Sequence, residues 1–336
     1  MRFSRRTTLL LAAAFAFGIS TAGSAEAAGK IRIAMLVKSL GNGFFDAAHQ
    51  GGEEAAKQIG GVELIYTGPT APTAEGQIEL INSLIAQKVD AIAISANDPN
   101  ALVPIAKKAM SRGIKVLSFD SAIAAGGRML HLNPSNNQLI GEKLVQMTAD
   151  AAGGSGSFAI LSATAQATNQ NTWIAEVKKV LAKPDYANLK LVATVYGDDQ
   201  PDKSYREALG LLKSYPDLKV ITAPTTVGIA AAAKAVEDQN LIGKVYVTGL
   251  GLPSEMKGHV ESGATKTFAI WNPIDLGYTT TYLAYRLVKG EATGKPGEEI
   301  DAGRMGKIKI GDNSEAAMSP PFTFDKSNID QFAKMF

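Results

Sequence analysis

Few side chains in this sequence can do chemistry, and their types favour binding over catalysis. Cysteine is absent, which excludes a thiol nucleophile, disulfides and cysteine-ligated metals. The three histidines, His49, His131 and His259, share no short ligand spacing, so no metal site is expected. No G-x-S-x-G elbow, P-loop or kinase signature occurs. Gly41-Asn42-Gly43 and Gly249-Leu250-Gly251 do not continue into a dinucleotide-binding G-x-G-x-x-G, so neither a cofactor nor enzyme activity is expected. What remains is one lysine, a few carboxylates, amides, hydroxyls and aromatic rings. They lie at Lys38, Ser95 to Asp98, Asp120, Asn169-Gln170, Asp198-Asp199, Pro224 to Thr226, Gly249 to Leu252 and Trp271-Asn272, with Phe44, Phe45 and Trp173 nearby. Such a mixture suits a neutral polyol. Carboxylates and amides take paired hydroxyls, lysine donates to an oxygen, and ring faces cover C–H surface. Each residue also has a structural reading: Lys38 as a solvated loop lysine, Asp120 as a turn residue, the aromatic rings as core. Asp98, Asp199 and Asp202 read mainly as helix caps.

The elements that must position these residues alternate from end to end. The pattern predicts strand Lys30–Val37, helix Gly43–Ile59, strand Val62–Tyr66, helix Ala74–Gln87, strand Ala91–Ser95, helix Pro99–Arg112 and strand Lys115–Phe119. After Gly153-Gly154-Ser155-Gly156 it restarts with strand Phe158–Leu161, helix Asn169–Leu181, strand Leu189–Tyr196 and helix Lys203–Ser214. Strand Val220–Ala223, helix Val227–Asn240, strand Val245–Thr248, helix Ser254–Ser262 and strand Thr267–Ile270 follow, then a long helix Ile274–Val288. Continuous apolar strands joined by helical crossovers imply parallel sheets buried on both faces, and two such series imply two doubly wound α/β lobes. In open α/β sheets ligands sit beyond the carboxyl ends of the strands. Every residue in the polar list lies at such an end, which is why it reads as a site.

Composition agrees with an exported two-lobe protein. Arg2, Arg5 and Arg6, the apolar run Thr8 to Ile19 and Ala25-Glu26-Ala27 read as a signal peptide over residues 1–27. Ser4-Arg5-Arg6 is a weak twin-arginine signature as well. Removing that segment turns 34 basic and 32 acidic residues into 31 of each, so no nucleic-acid or membrane-surface partner is expected. Roughly 300 mature residues call for about two domains.

Several stretches in register resemble the ribose-type, cluster-B periplasmic binding proteins. The first lobe carries VKSLGNGFFDAA (37–48), YTGPT (66–70), EGQIELINSLIAQKVDAIAISANDP (75–99) and LSFDSA (117–122). ATNQNTWI (167–174), the segment 196–228, VTGLGLPSEM (247–256) and FAIWNPIDLGY (268–278) carry the second. The likeness is greatest to the rhamnose-binding receptors of ABC importers, with the autoinducer-2 receptors slightly further off. It implies two Rossmann-like lobes of the type I periplasmic binding protein fold, joined by a three-segment hinge near Asn133, Asn272 and Lys307–Ile310. Lobe boundaries would then be 28–132 with 273–306, and 133–272 with 307–336. It also implies a periplasmic sugar receptor that works by hinge closure, with a sugar and importer permease subunits as partners and monomer as the expected state. A lactose-repressor-type core is the remote alternative, and it would need a helix-turn-helix where the signal peptide stands. Lys38, Asp120, Gln170 and Pro224 match the autoinducer-2 ligand pattern. Asn169, Thr226 and Asn272 depart from it by exchanging two acids for amides and alanine for threonine, and together with Trp271 they resemble the rhamnose type. The implied ligand set is therefore Lys38, Phe44, Phe45, Asp120, Asn169, Gln170, Trp173, Pro224, Thr226, Trp271 and Asn272.

Overall fold

A computed structural model describes residues 29–336; the expected signal peptide lies outside them. The first lobe is built on β1 (Ile31–Leu36), α1 (Gly43–Ile59), β2 (Val62–Thr67), α2 (Ala74–Ala86), β3 (Ala91–Ile94), α3 (Val103–Ser111), β4 (Lys115–Phe119) and β5 (His131–Asn133). The chain then runs through α4 (Asn137–Ala152), β6 (Gly156–Ser162), α5 (Thr168–Leu181), β7 (Leu189–Tyr196), α6 (Pro201–Ser214), β8 (Leu218–Ala223) and α7 (Thr226–Asp238). Next come β9 (Tyr246–Gly249), α8 (Pro253–Ser262), β10 (Thr267–Ile270), α9 (Pro273–Lys289), β11 (Glu299–Asp301), β12 (Lys307–Lys309), β13 (Glu315–Ala317), β14 (Phe322–Asp325) and α10 (Ile329–Phe332).

One sheet has the order β13-β5-β4-β3-β1-β2 and is parallel throughout. The other has the parallel order β7-β6-β8-β9, extended by a bridge from Leu250 to Ala269 of β10, which pairs antiparallel with β14. All four residues of β3 and the last four of β1 are buried, as the unbroken apolar runs require. The fold is the α/β, two-lobed architecture expected.

The chain passes between the lobes three times. The first passage follows β5, since α4 packs on the second sheet; the second follows β10, since α9 packs on α1 and the first sheet. The third was expected around Lys307–Ile310 and falls later. β12 pairs with β11 in a hairpin, β13 still joins the first sheet, and only after residue 317 does the chain reach β14 in the second. Other local expectations shift too. Asp98 accepts from the N–H groups of Asn100 and Ala101, both at 2.8 Å, so it caps a turn, and α3 begins at Val103 rather than Pro99. Asp202 sits inside the first turn of α6 behind Pro201, where its charge suits the helix dipole, and is not the cap.

Gln77 explains how the strand ends can splay to make room for a site. Fully buried, it donates to the carbonyls of Val37 (3.0 Å) and Ser95 (2.7 Å) and accepts from Asn97 N–H (2.9 Å). One amide thus satisfies backbone groups that the diverging ends of β1 and β3 no longer pair.

Near the passages, Arg128 bonds Glu315 at 2.8 Å and Asn133 donates to the same carboxylate at 3.1 Å. His131 is buried beside them, 2.9 Å from the Ser118 hydroxyl through Nδ1 and 3.2 Å from Asn133 Oδ1 through Nε2. A neutral ring protonated on Nε2 satisfies both partners. Burial, helped by the Arg128 charge, lowers its pKa to about 3, against the bonds to Asn133 and Ser118 that raise it. The unfolded chain then takes up a proton the folded one refuses, so this group costs stability as pH falls from its ordinary 6.5 towards 3. Between pH 7 and pH 5, urea unfolding of wild type should lose about 2 kcal/mol more than that of His131→Asn. Parallel losses in both proteins would refute a neutral buried His131.

Candidate ligand-binding site

The carboxyl ends of the two sheets face one another across a small cavity. Lys38 enters from the end of β1, Asp120 from the end of β4, and Asn42, Phe44 and Phe45 from the start of α1. From the second lobe come Asn169, Gln170 and Trp173 of α5, Asp199 after β7, and Pro224, Thr225 and Thr226 at the start of α7. Leu250, Ile270 and Trp271 complete the wall.

The polar groups form a network that crosses between lobes. Asp120, buried and with a φ of 57°, accepts from the Ser95 hydroxyl at 2.7 Å and from Asn169 Nδ2 at 2.9 Å. Lys38 Nζ lies 3.6 Å from the Asp120 carboxylate and donates to Asn169 Oδ1 at 3.2 Å. Asn169 thus answers an acid and an ammonium with opposite ends of one amide. Gln170 donates to the Pro224 carbonyl at 2.6 Å and accepts from the Ser162 hydroxyl at 3.2 Å, which holds α5 against the end of β8. The left-handed φ of Asp120 is one that few residues other than glycine, Asp and Asn adopt readily.

The cavity also has an aromatic wall. Phe44 meets Phe45 and Trp271 edge-to-face at centroid distances of 5.3 and 6.2 Å, and Trp271 tilts against Trp173 at 5.4 Å. Trp173 donates its N–H to Asn137 at 2.9 Å, whereas the buried Trp271 N–H has no protein partner among the described residues. A cavity lined by both polar groups and aromatic rings can take a molecule that carries hydroxyls together with C–H surface.

Of the eleven residues expected to form the site, the cavity gathers Lys38, Phe44, Phe45, Asp120, Asn169, Gln170, Trp173, Pro224, Thr226 and Trp271. Asn272 is not among them. It caps α9, accepting from Ile274 N–H at 2.9 Å and donating to Asp275 at 2.8 Å. Thr225, Leu250 and Asp199 line the cavity and were visible as strand-end residues, although Asp199 read mainly as a cap. Asn42 and Ile270 were missed. Asn42 had the signal of an N-cap before Gly-Phe-Phe, and its side chain does accept from Phe44 N–H at 3.0 Å. Among the described residues no cluster of three or more His, Cys, Asp or Glu could hold a metal ion, and no helix is long and apolar enough to cross a membrane.

Comparison with known proteins places this architecture. The model of the periplasmic binding protein domain matches residues 33–292. The chain belongs to the periplasmic binding protein family. Its members are solute-binding proteins and not enzymes, and the family places this binding protein in the periplasm. A solved ABC transporter solute-binding protein from Clostridium phytofermentas, with bound L-rhamnose, is 39% identical at a TM-score of 0.88, covering 91% of this chain and 99% of that one. A sugar ABC transporter protein from Actinomyces odontolyticus is 41% identical at a TM-score of 0.72, covering 90% and 97%. The D-ribose/D-allose-binding protein of Pseudomonas aeruginosa is 29% identical over 275 residues, 77% of this chain and 83% of that protein.

Proposed function

We propose that this periplasmic binding protein captures a monosaccharide, L-rhamnose, by closing its lobes around it and hands the closed complex to an ABC importer. The observation that carries this reading is the network in which Lys38 and Asp120 of one lobe meet Asn169 of the other. A ligand bonded to both sets favours closure, because only the closed state offers all the contacts. Lys38, Asp120, Asn169, Gln170 and Thr226 are the proposed hydroxyl partners, and the Pro224 carbonyl holds Gln170 in place. Phe44, Phe45, Trp173 and Trp271 give a 6-deoxy sugar's methyl group an apolar surface. The likeness to a receptor solved with L-rhamnose supports that choice of sugar. The three inter-lobe passages are the proposed hinge, and the two sheets with their helices the proposed lobes.

The test is calorimetric titration of L-rhamnose into mature protein that has been unfolded, freed of co-purified ligand and refolded. Saturable one-to-one binding at micromolar affinity or better is expected, with compaction in small-angle scattering. Heat with autoinducer-2 or D-ribose but none with L-rhamnose would move the ligand within the family. Binding without compaction would refute closure.

A further inference from the structure

We propose that Asp199 is a specificity-determining residue that contacts the ligand, taking a hydroxyl of the bound sugar from the second lobe's side and disfavouring anionic sugars. The proposal rests on the sugar-receptor reading and adds to it a residue, a lobe and a charge preference.

After β7 the chain passes through Asp198 and Asp199 at φ values of 55° and 50°, two consecutive non-glycine residues in the left-handed region. That conformation disfavours most L residues and suits Asp and Asn best. The turn sends the two neighbouring acids in different directions. Asp198 pairs with Lys203 on a half-exposed face, whereas Asp199 turns into the cavity wall and accepts from the Thr225 hydroxyl.

A capping role does not account for it. The N-cap of α6 is Gln200, Pro201 occupies the first helical position, and no side chain caps that end. Thr225 is the one side-chain donor to Asp199 among the described residues, while a carboxylate has about four acceptor sites. Burial pushes this carboxyl above the usual carboxylate range; Lys38 and the Thr225 bond pull it back, and Asp120 and Asp198 push it further up. A hydroxyl donated from a ligand would satisfy the spare acceptors and favour the charged form.

The charge inventory of the cavity points the same way. Position 169 carries an amide, so the second lobe would offer no acid without Asp199. With it, each lobe presents one carboxylate, Asp120 from the first and Asp199 from the second, against the single ammonium of Lys38. Donating hydroxyls are then gripped from both sides of the cleft. A uronate or sugar phosphate would face two carboxylates for one lysine, an arrangement that costs affinity.

Asp199→Asn tests the proposal without disturbing the turn, since asparagine tolerates the same backbone and can still accept from Thr225. Unchanged thermal melting checks that it folds. The probe is whichever of L-rhamnose, L-fucose, D-allose and D-ribose binds wild type most tightly by calorimetry. The variant should bind it about tenfold to a hundredfold more weakly, the loss expected for a charge-assisted hydrogen bond. Monodeoxy analogues of that sugar separate contact from structure. For the analogue lacking the hydroxyl held by Asp199 the wild-type advantage should vanish, and for the others it should persist. Equal affinities for the intact sugar, or an equal loss across every analogue, would overturn the inference while leaving the receptor reading intact. Refolded wild type that binds none of the four sugars would overturn the sugar reading and the inference together.

Discussion

Gly277→Ala should destabilise the protein by more than about 3 kcal/mol, beyond the usual cost of overpacking. A Cβ at Gly277 would lie 1.8 Å from the Ala48 carbonyl oxygen and 2.5 Å from its carbon. On the facing helix, a Cβ at Gly51 would lie 1.8 Å from the Ile274 carbonyl oxygen. Both obstacles are backbone, so neither can turn aside as a side chain could; α1 and α9 would have to separate. Glycine inside a helix costs about 1 kcal/mol against alanine, and the close approach of the two helices is what makes it worth keeping here. Gly210 in α6 is the control, because nothing lies within 4 Å of its added Cβ, and Gly210→Ala should stabilise by roughly 0.5–1 kcal/mol. Urea midpoints of the three proteins decide the matter, and a Gly277→Ala midpoint equal to wild type would sink the packing argument. The consequence reaches the site. α1 carries Phe44 and Phe45 at its first turn, and α9 begins at Pro273, capped by Asn272, where the chain leaves the second lobe. A helix pair forced apart would therefore also move the aromatic wall.

What could be read from the sequence follows from how physical signals are written along a chain. Buried parallel strands leave unbroken apolar runs, so β1, β3, β4 and β8 were legible, and with them the strand ends where Lys38, Asp120 and Pro224 lie. β5, β11, β12 and β13 are three residues each, too short to show any period, and their pairings are set by partners far away in sequence. The resemblance alone therefore supplies the expectation of a third passage around Lys307–Ile310, whereas Ile308 pairs with Ile300 in a local hairpin. α4 went unread even though Ile140, Leu144, Met147 and Ala151 follow a helical period, because no clear strand preceded it to frame the unit. Asn272 and Asn169 are the same residue type at similar places, but proline follows only Asn272, which makes it a cap. Asp199 reads as a cap in the sequence although Gln200 holds that position, since the direction of each of the two neighbouring acids is decided by a turn of left-handed backbone.

Asp120→Asn should weaken sugar binding by at least about a hundredfold, because the change falls on the ligand and on closure together. Asparagine suits the φ of 57° that alanine would strain; its one oxygen can still accept from Asn169 while its amide N–H donates to the Ser95 hydroxyl oxygen, so both partners stay bonded and the strand end keeps its shape. What disappears is the charge beside Lys38, whose ammonium is 3.6 Å from the carboxylate and whose side chain is 5% exposed. Leaving a buried charge without its partner costs roughly 3–5 kcal/mol. In an open protein water reaches Lys38 and that cost is not incurred, so the penalty falls on the closed state alone. The ligand in turn meets an amide where it would have met a carboxylate. Three readings should therefore separate: a melting temperature of the sugar-free protein within a few degrees of wild type, a large loss of affinity by calorimetry, and no compaction in small-angle scattering at sugar concentrations that close wild type. Wild-type affinity in a folded Asp120→Asn protein would mean that neither the ligand nor the closed state draws on this charge, and the cross-lobe network would lose its role in capture. A large affinity loss with normal compaction at saturating sugar would keep Asp120 as a ligand contact and leave closure to the amide of Asn169.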